Sequence, residues 1–395
     1  MKEVYRTEYF SCVRDGMTIC GTRYLPKTPG PYPIAVISHG LIQNQADMQR
    51  TAMLFSVLGF AAYIFDFCGA LHGISDGKTT EMSVLTEVRD LKAVIAYAKG
   101  DRNIDPDKLI LVGAGQGGLV SALTAASLKS KVRGLILFSP AFGIADDVRE
   151  GDIRFAQFNP ERVPKTIPCG KFTLGHCYAY DIMNLNVMEK ITDYRGPALI
   201  VGAGEDLFTD PSYWKRAYTI WAKESVPPRK DLDLMLVPGT EDLFTPEAES
   251  VTFRAVRRFL SRRVQIISLD VSYTGLSRQR LGLLGREEWI TLSGESESPY
   301  FTGRLDESES WSEQFLKLRR VTGREDCFVL KGHDYTGKRC SVRILLSYDG
   351  EKYAVSALST DSEALSFLNT AAPDAEIMNM AAGVKLVVYV KRKEL

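Results

Sequence analysis

The chain has 395 residues, of which 45% are hydrophobic and 25% charged, a composition typical of a soluble globular protein and long enough for two domains. Lys plus Arg and Asp plus Glu both number 49, so the charge balance favours neither a nucleic-acid partner nor an anionic membrane. The first residues interleave charged and apolar side chains, and no later run supplies the roughly 18 apolar residues of a membrane span. We therefore expect a cytoplasmic protein.

Cysteine and histidine limit the available chemistry. The seven cysteines are scattered without a Cys-x-x-Cys pair, which favours free thiols over disulfides or a zinc site. Histidine-based chemistry is restricted to four residues: His39, His72, His176 and His333. We expect no metal and no cofactor.

Short apolar strands alternate with helical stretches up to about residue 262. The strands include YPIAVISHG, GFAAYIFDFCG, KLILVGA, VRGLILFSP, GPALIVGAG and DLDLMLVPG. The segment TEMSVLTEVRDLKAVIAYAKG has helical spacing, with Thr80 as the predicted N-cap. This alternation predicts an α/β domain over residues 1–262, with a mostly parallel sheet. A Pro- and aromatic-containing insertion at about 143–195 predicts a cap over a pocket.

Strand-like runs separated by turn residues dominate the rest of the chain. They include VQIISLDVSYTG, EEWITLSGES and GVKLVVYVKR, and one short predicted helix, DSEALSFLNTA, interrupts them. Residues 264–395 are therefore predicted to form a second, smaller antiparallel β-barrel-like domain.

The stretch LILVGAGQGGLVSALTAAS has two interpretations. Gly113, Gly115 and Gly118 match the Gly-x-Gly-x-x-Gly of a dinucleotide-binding turn. The same residues match a nucleophile elbow, Gly-x-Ser-x-Gly, in which Gly115 replaces the serine. At least two strands precede this turn, and the next strand ends at Ser139 without the carboxylate that a dinucleotide fold uses for ribose. The order of motifs favours the elbow.

Residues 1–262 resemble the α/β-hydrolase superfamily, in particular its bacterial cinnamoyl/feruloyl-esterase-like branch. The resemblance is carried by ISHG, YIFDFCG, SDGKTTEMSVLTEVRDL, GAGQGG and SPAFGIADD. It implies an α/β-hydrolase fold with catalytic triad positions at Gly115, Asp206 and Asp242, of which only Asp206 has the expected residue type. It also implies an oxyanion hole built from the backbone amides of Leu41 and Gln116.

Two of the three catalytic side chains are therefore replaced. Glycine cannot attack a carbonyl, and an aspartate with an ordinary pKa of about 3.9 is a poor general base at neutral pH. The sequence predicts a non-hydrolytic binding or regulatory module for a small molecule, such as an aromatic acyl compound. The oligomeric state stays open.

The alternative hypothesis is an active carboxylic-ester hydrolase, or another enzyme, with a rewired site at Cys68, at His72 or at the acidic residues of the repeated pentapeptide described below. Cys68 and His72 follow a strand in FCGALHG, near His39, and these three residues are candidates for ligand contact. Ser75, in the literal Gly-x-Ser-x-Gly of GISDG, lacks a tight strand-to-helix turn and is expected to cap its loop instead. His39 itself is expected mainly to shape the oxyanion loop.

The pentapeptide Glu-Asp-Leu-Phe-Thr occurs twice, at 205–209 and 241–245, each time after an apolar strand. Both turns are predicted to face one site, which would bring together Glu205, Asp206, Glu241 and Asp242. Clustered carboxylates could hold a proton or a cation. The alternative is that acidic residues simply favour the helix starts that follow.

The second domain resembles a bacterial β-barrel family of unknown function, through TLSGESESPYFTGRL and LKGHDYTGKRCSVRILLSYDG. This resemblance leaves three roles open: a small-molecule pocket, an interaction surface that makes the chain a scaffold, or a stabilising module.

Overall fold

A computed structural model describes residues 5–154, 156–223, 232–261, 263–280, 286–298, 300–306, 310–312, 324–348, 353–371, 373–380 and 383–391. The chain divides into two compact units, one of Met1–Trp221 with Asp233–Val256 and one of Ala222–Leu232 with Arg257–Leu395. No helix among the described residues is long and apolar enough to cross a membrane.

The first unit is built on an eight-stranded sheet in the order β1-β2-β4-β3-β5-β6-β11-β12. The strands up to residue 237 are β1 (Tyr5–Arg14), β2 (Met17–Pro26), β3 (Tyr32–Ser38), β4 (Ala61–Phe65), β5 (Ile104–Ala114), β6 (Gly134–Phe138), β7 (Asp152–Ile153), β8 (Ala156–Gln157), β9 (Thr166–Cys169), β10 (Phe172–Gly175), β11 (Ala198–Ala203) and β12 (Leu232–Val237). Strands β1 and β2 pair antiparallel, as do β2 and β4, whereas β3 pairs in parallel with β4 and β5. Strand β6 pairs in parallel with β5 and β11.

Eight helices accompany these strands in the described part of the chain. They are α1 (Gln49–Val57), α2 (Val84–Lys99), α3 (Gln116–Leu128), α4 (Ile144–Arg149), α5 (His176–Met183), α6 (Val187–Ile191), α7 (Pro211–Lys223) and α8 (Pro246–Leu260). The inner strands β4, β6 and β11 are buried along their whole length, because helices covering both faces of a parallel sheet leave neither face to water.

Helix α2 begins later than predicted. Its N-cap is Ser83 and not Thr80, because the Ser83 hydroxyl accepts the Thr86 amide while the Thr86 hydroxyl accepts the Ser83 amide. This reciprocal capping box satisfies two orphan backbone donors, which a threonine three residues upstream cannot do.

Between β6 and β11 the chain forms an insertion that we call the cap. It contains the β7–β8 and β9–β10 hairpins and helices α4, α5 and α6. The cap is fixed to the segment before α2 at two elements, since the Thr79 hydroxyl donates to Thr173 O of β10 at 2.6 Å and the Ser83 hydroxyl donates to the Asp181 carboxylate of α5.

The second unit is an antiparallel, barrel-like sheet in the order β19-β18-β17-β15-β14-β13-β21-β20, with β16 paired to β17. Its strands are β13 (Arg263–Arg280), β14 (Arg286–Glu297), β15 (Phe301–Leu305), β16 (Trp311–Ser312), β17 (Arg324–Asp334), β18 (Arg339–Tyr348), β19 (Tyr353–Thr360), β20 (Asp374–Met380) and β21 (Gly383–Lys391). Its core includes Ile267, Phe301 and Leu330. The short helix predicted in DSEALSFLNTA is a 3-10 turn over Ser366–Asn369.

Candidate functional site

The Gly-rich turn has the backbone of a nucleophile elbow. Strand β5 ends at Ala114, α3 begins at Gln116, and Gly115 between them has φ +52° and ψ −119°. The Gly115 amide donates to Phe138 O at 2.9 Å, which ties the turn to the end of β6. The turn follows β5, a central strand of the sheet, and this position disfavours the dinucleotide interpretation.

The glycines of this turn differ in the space around them. A Cβ atom at Gly113 would lie 2.2 Å from Gly117 O, and one at Gly117 would lie 2.3 Å from His39 O. A Cβ at Gly115 would meet only the Gly40 Cα, at 3.8 Å. The positions flanking the elbow therefore require glycine for close approach, whereas position 115 has room for a side chain that the sequence does not supply.

A cavity of about 620 Å³ lies over the elbow. It is bounded by the carboxyl ends of β5 and β6, the loops after β3, β11 and β12, and the cap. The lining residues are Gly40, Leu41, Ile42, Gln43, Ala114, Gly115, Gln116, Phe138, Ser139, Ala141, Gly143, Ile144, Asp147, Asp152, Ile153, Arg154, Asp206, Leu207, Phe208, Thr209, Asp210, Tyr213, Glu241, Asp242, Leu243 and Phe244. This lining includes no histidine and no cysteine of the described chain.

The predicted oxyanion residues Leu41 and Gln116 both line this cavity. The loop that carries Leu41 is held by Gln43, whose side-chain Oε1 accepts the Gly40 amide at 2.8 Å. The Gln116 amide is in the first turn of α3, where a backbone N–H has no partner within the helix. The Gln116 amide thus needs a partner outside the helix, such as a ligand oxygen.

His39 lies beneath this loop and outside the cavity lining. Its Nε2 accepts the Phe67 amide at 3.2 Å, and its Nδ1 donates to Gly40 O at 2.8 Å. Burial lowers the pKa of the imidazole, so the ring is neutral and both nitrogens are committed to the backbone. His39 therefore joins the loop at Gly40 to the backbone of Phe67.

Cys68 and His72 also lie outside the lining. Cys68 is buried, and burial together with the Asp90 carboxylate raises the pKa of its thiol to about 12. Such a thiol is protonated at neutral pH and is a weak nucleophile. His72 is exposed, with a positive φ of 57°. The structure therefore does not bring these two residues to the elbow.

Three other candidates are accounted for by their surroundings. The Ser75 hydroxyl donates to Asp66 O at 2.6 Å and accepts the Cys20 amide at 2.9 Å, as a loop-pinning residue does. His176 is exposed at the start of α5, where its ring meets Tyr180 edge-on. His333 is exposed on β17.

The two aspartates of the repeated pentapeptide each accept hydrogen bonds from the backbone of their own turn. Asp206 Oδ1 accepts the amides of Phe208 and Thr209, both at 2.9 Å, and Asp242 Oδ1 accepts the Phe244 amide at 2.9 Å. Asp206, Asp242 and Glu241 line the cavity, whereas Glu205 does not. Among the described residues, no group of three or more His, Cys, Asp or Glu is arranged to hold a metal ion. Local capping explains the repeat better than a cation site.

Sequence reasoning missed Arg154 and Ser139, which both line the cavity with positive φ angles of 36° and 41°. The Arg154 guanidinium lies 3.6 Å from the centroid of the Phe208 ring, and burial lowers its pKa. Ser139 Oγ accepts the Ala203 amide at 3.2 Å. The position of Ser139 at a strand end was a usable signal; a cap hairpin gives no comparable signal for Arg154.

Sequence reasoning also missed the surroundings of the Gln116 side chain. Its Nε2 donates to both oxygens of Glu87, each at 2.8 Å, and its Oε1 accepts the Tyr178 hydroxyl at 2.5 Å. These three buried side chains join α2, the elbow and cap helix α5. No local pattern predicts contacts between residues 29 and 62 positions apart.

Together, the strand order, the elbow and the capped cavity define the first unit as an α/β hydrolase by fold. Residues 30–184 match the family model of serine aminopeptidase S33. The solved structure of Est1E from Butyrivibrio proteoclasticus with ferulic acid bound is similar, with 24% identity and a TM-score of 0.56 over 64% of this chain and 98% of that one. The α/β hydrolase GrgF from Penicillium sp. sh18 is 17% identical, with a TM-score of 0.51 over 65% and 98%.

The quorum-quenching protein AidA of Acinetobacter baumannii is 33% identical over 107 residues, which is 26% of this chain and 34% of AidA. The match thus spans about a third of the length of that relative. These similarities support the α/β-hydrolase fold of the first unit.

Proposed function

We propose that the cavity binds a small aromatic acyl compound without hydrolysing it. The observation that carries this proposal is Gly115 itself, which has elbow geometry at the floor of the cavity but offers no nucleophile. The oxyanion amides of Leu41 and Gln116 are available to hold a carbonyl or carboxylate oxygen.

The walls of the cavity suit an aromatic ligand. The lining includes four aromatic side chains, Phe138, Phe208, Tyr213 and Phe244, which can pack against a planar ring. Ferulic acid, the compound bound in the structure of Est1E, is an aromatic acid of this kind. We therefore choose ferulate and its methyl ester as probes.

The rewired-enzyme alternative lacks support at this cavity. Its candidate thiol, Cys68, lies outside the lining and has a raised pKa, and the described lining contains no histidine to act as a base. Asp242, at the position of the histidine, uses one oxygen to cap its own turn. A binding or regulatory role agrees better with this arrangement.

Calorimetric titration of the whole chain tests the proposal. We expect saturable one-to-one binding of ferulate, and binding of methyl ferulate without release of methanol. The Ile144→Trp variant places a larger side chain in the cavity wall and should abolish binding. Val57→Trp, on a side chain that is 54% exposed and outside the lining, is the matched control and should bind normally. Catalytic turnover of methyl ferulate, or equal binding by Ile144→Trp, would contradict the proposal.

A further inference from the structure

The contacts of Gln116 connect the ligand cavity to the interior of the cap. Gln116, Glu87 and Tyr178 are 3%, 1% and 0% exposed, so all three polar groups are removed from water. Buried polar groups are costly unless they are paired, and Gln116 pairs with both of the other side chains. We call this group the Gln116 cluster.

The cluster joins three elements that are far apart in the chain. Glu87 is in the first turn of α2, Gln116 is the first residue of α3 directly after the elbow, and Tyr178 is in cap helix α5. A second contact of α5, between Asp181 and Ser83, does not include Gln116. Helix α5 has further polar contacts through Cys177 and Met183, but the Tyr178 hydroxyl is the contact that reaches Gln116 at the floor of the ligand cavity.

Glu87 has no described cation to neutralise it. On α2 its charged neighbour is Asp90, which is itself paired with Arg14 of β1 at 2.7 Å. The other neighbours of Glu87 are the side-chain amide of Gln116 on α3 and the Tyr178 hydroxyl on α5. Arg154 and Cys169 of the cap act on Tyr178 in turn. Burial raises the pKa of Glu87 to about 8, Asp90 adds to the rise, and the Gln116 bond opposes it.

We propose that Glu87 and Tyr178 are positioning residues of the cavity, which hold Gln116 and join cap helix α5 to the elbow most firmly when Glu87 is protonated. Burying the protonated acid beside Gln116 costs less than burying the carboxylate, which is paired with no cation among the described residues. Because Gln116 is proposed to supply one oxyanion amide, fixing its position also affects a bound ligand. This effect on the ligand rests on the proposed function, whereas the attachment of α5 through Gln116 does not.

The direction of the pH dependence follows from linkage. The ordinary pKa of a glutamate is about 4.3, and in the closed cluster the value is raised to about 8. Because the pKa of Glu87 is raised, the stabilisation of the closed Gln116 cluster is fully present at low pH and is lost as the pH rises through about 8. Between those two values, each pH unit weakens the closed state by up to about tenfold, if opening exposes Glu87 to water.

Hydrogen exchange of the α5 amides in the whole protein measures how firmly the Gln116 cluster attaches α5 to the elbow. We expect the protection of residues 176–183, corrected for intrinsic exchange rates, to fall about tenfold or more between pH 6 and pH 8. Glu87→Gln keeps the shape and removes the titration, so its protection should not vary with pH. Tyr178→Phe removes one hydroxyl and should lower protection at both pH values.

The control is Asp90→Asn, which removes the neighbouring carboxylate of the same helix. It should keep a pH dependence, with its midpoint at a somewhat lower pH than in the wild type, because Asp90 no longer raises the pKa of Glu87. A pH dependence that survives in Glu87→Gln, or disappears in Asp90→Asn, would overturn the assignment to Glu87.

Binding of cinnamate at pH 6 and pH 8 separates this inference from the proposed function. We expect binding to weaken several-fold at pH 8 in the wild type and to be unchanged in Glu87→Gln. If cinnamate does not bind at either pH while the exchange data follow the expectation, the proposed ligand class is wrong and the positioning role stands. If cinnamate binds but α5 protection is independent of pH, the positioning role is wrong.

Discussion

The elbow and the two Glu-Asp-Leu-Phe-Thr turns border the same cavity, but they differ in what they present to it. At the elbow the backbone turns sharply, with Gly115 at φ +52° beside Leu41 and Gln116 in the cavity lining, and Gly115 has no side chain. At the turns the acidic side chains are present, but Asp206 and Asp242 each bind their own backbone. Backbone geometry and acidic side chains are thus separate features of this cavity lining.

The largest expected effect tests whether the elbow backbone is a rigid requirement. Gly117→Ala places a Cβ 2.3 Å from His39 O, so we expect a loss of about 3 kcal/mol or more in the free energy of unfolding, or no folded protein. Gly115→Ala meets nothing closer than 3.8 Å and should cost about 1–2 kcal/mol, from its positive φ alone. Urea unfolding compares the two variants, and equal losses would mean that the elbow is not held by close packing.

The second prediction asks whether reactive chemistry has moved to Cys68. With its pKa raised to about 12, against an ordinary 9.0, the Cys68 thiol should react with iodoacetamide at pH 8 about a thousandfold more slowly in the folded chain than in urea. Mass spectrometry of the modified peptide measures this rate. Fast modification of Cys68 in the folded chain would contradict this prediction, because Cys68 would then be a reactive nucleophile away from the elbow.

The smallest effect distinguishes the two acidic turns from each other. Asp206→Ala removes an acceptor of two amides and should lower the free energy of unfolding by about 1 kcal/mol, whereas Asp242→Ala removes an acceptor of one amide and should cost about half as much. Asp206→Asn and Asp242→Asn keep the Oδ1 acceptor and should be nearly neutral. Thermal unfolding measures all four, and an equal loss in the Asn variants would indicate that the charges have another role.

Features set by local sequence could be predicted. The alternation of strands and helices indicated the α/β unit, and the glycines around residue 115 indicated the elbow, because tight turns leave few residue choices. The N-cap of α2 was misplaced at Thr80, since two hydroxyl residues lie close together and only the capping box with Thr86 selects Ser83.

Features set by distant contacts could not be predicted. Gln116 looked like an ordinary residue of the elbow motif, yet its side chain is fixed by Glu87 and Tyr178. Glu205 and Glu241 occupy the same place in the repeated pentapeptide, but only Glu241 lines the cavity. Sequence identity of two turns does not give them the same orientation.

Hydrolysis of p-nitrophenyl acetate, p-nitrophenyl butyrate and methyl ferulate by the purified chain tests most directly whether Gly115 leaves the cavity without a nucleophile. The wild type is compared with the double variant Gly115→Ser, Asp242→His and with its matched control Gly115→Ala, Asp242→His, which has the same Cβ atom but no hydroxyl. We expect no turnover by the wild type or the alanine control, and measurable turnover by the serine variant. Turnover by the wild type would contradict this expectation, because Gly115 would then not be a disabling residue.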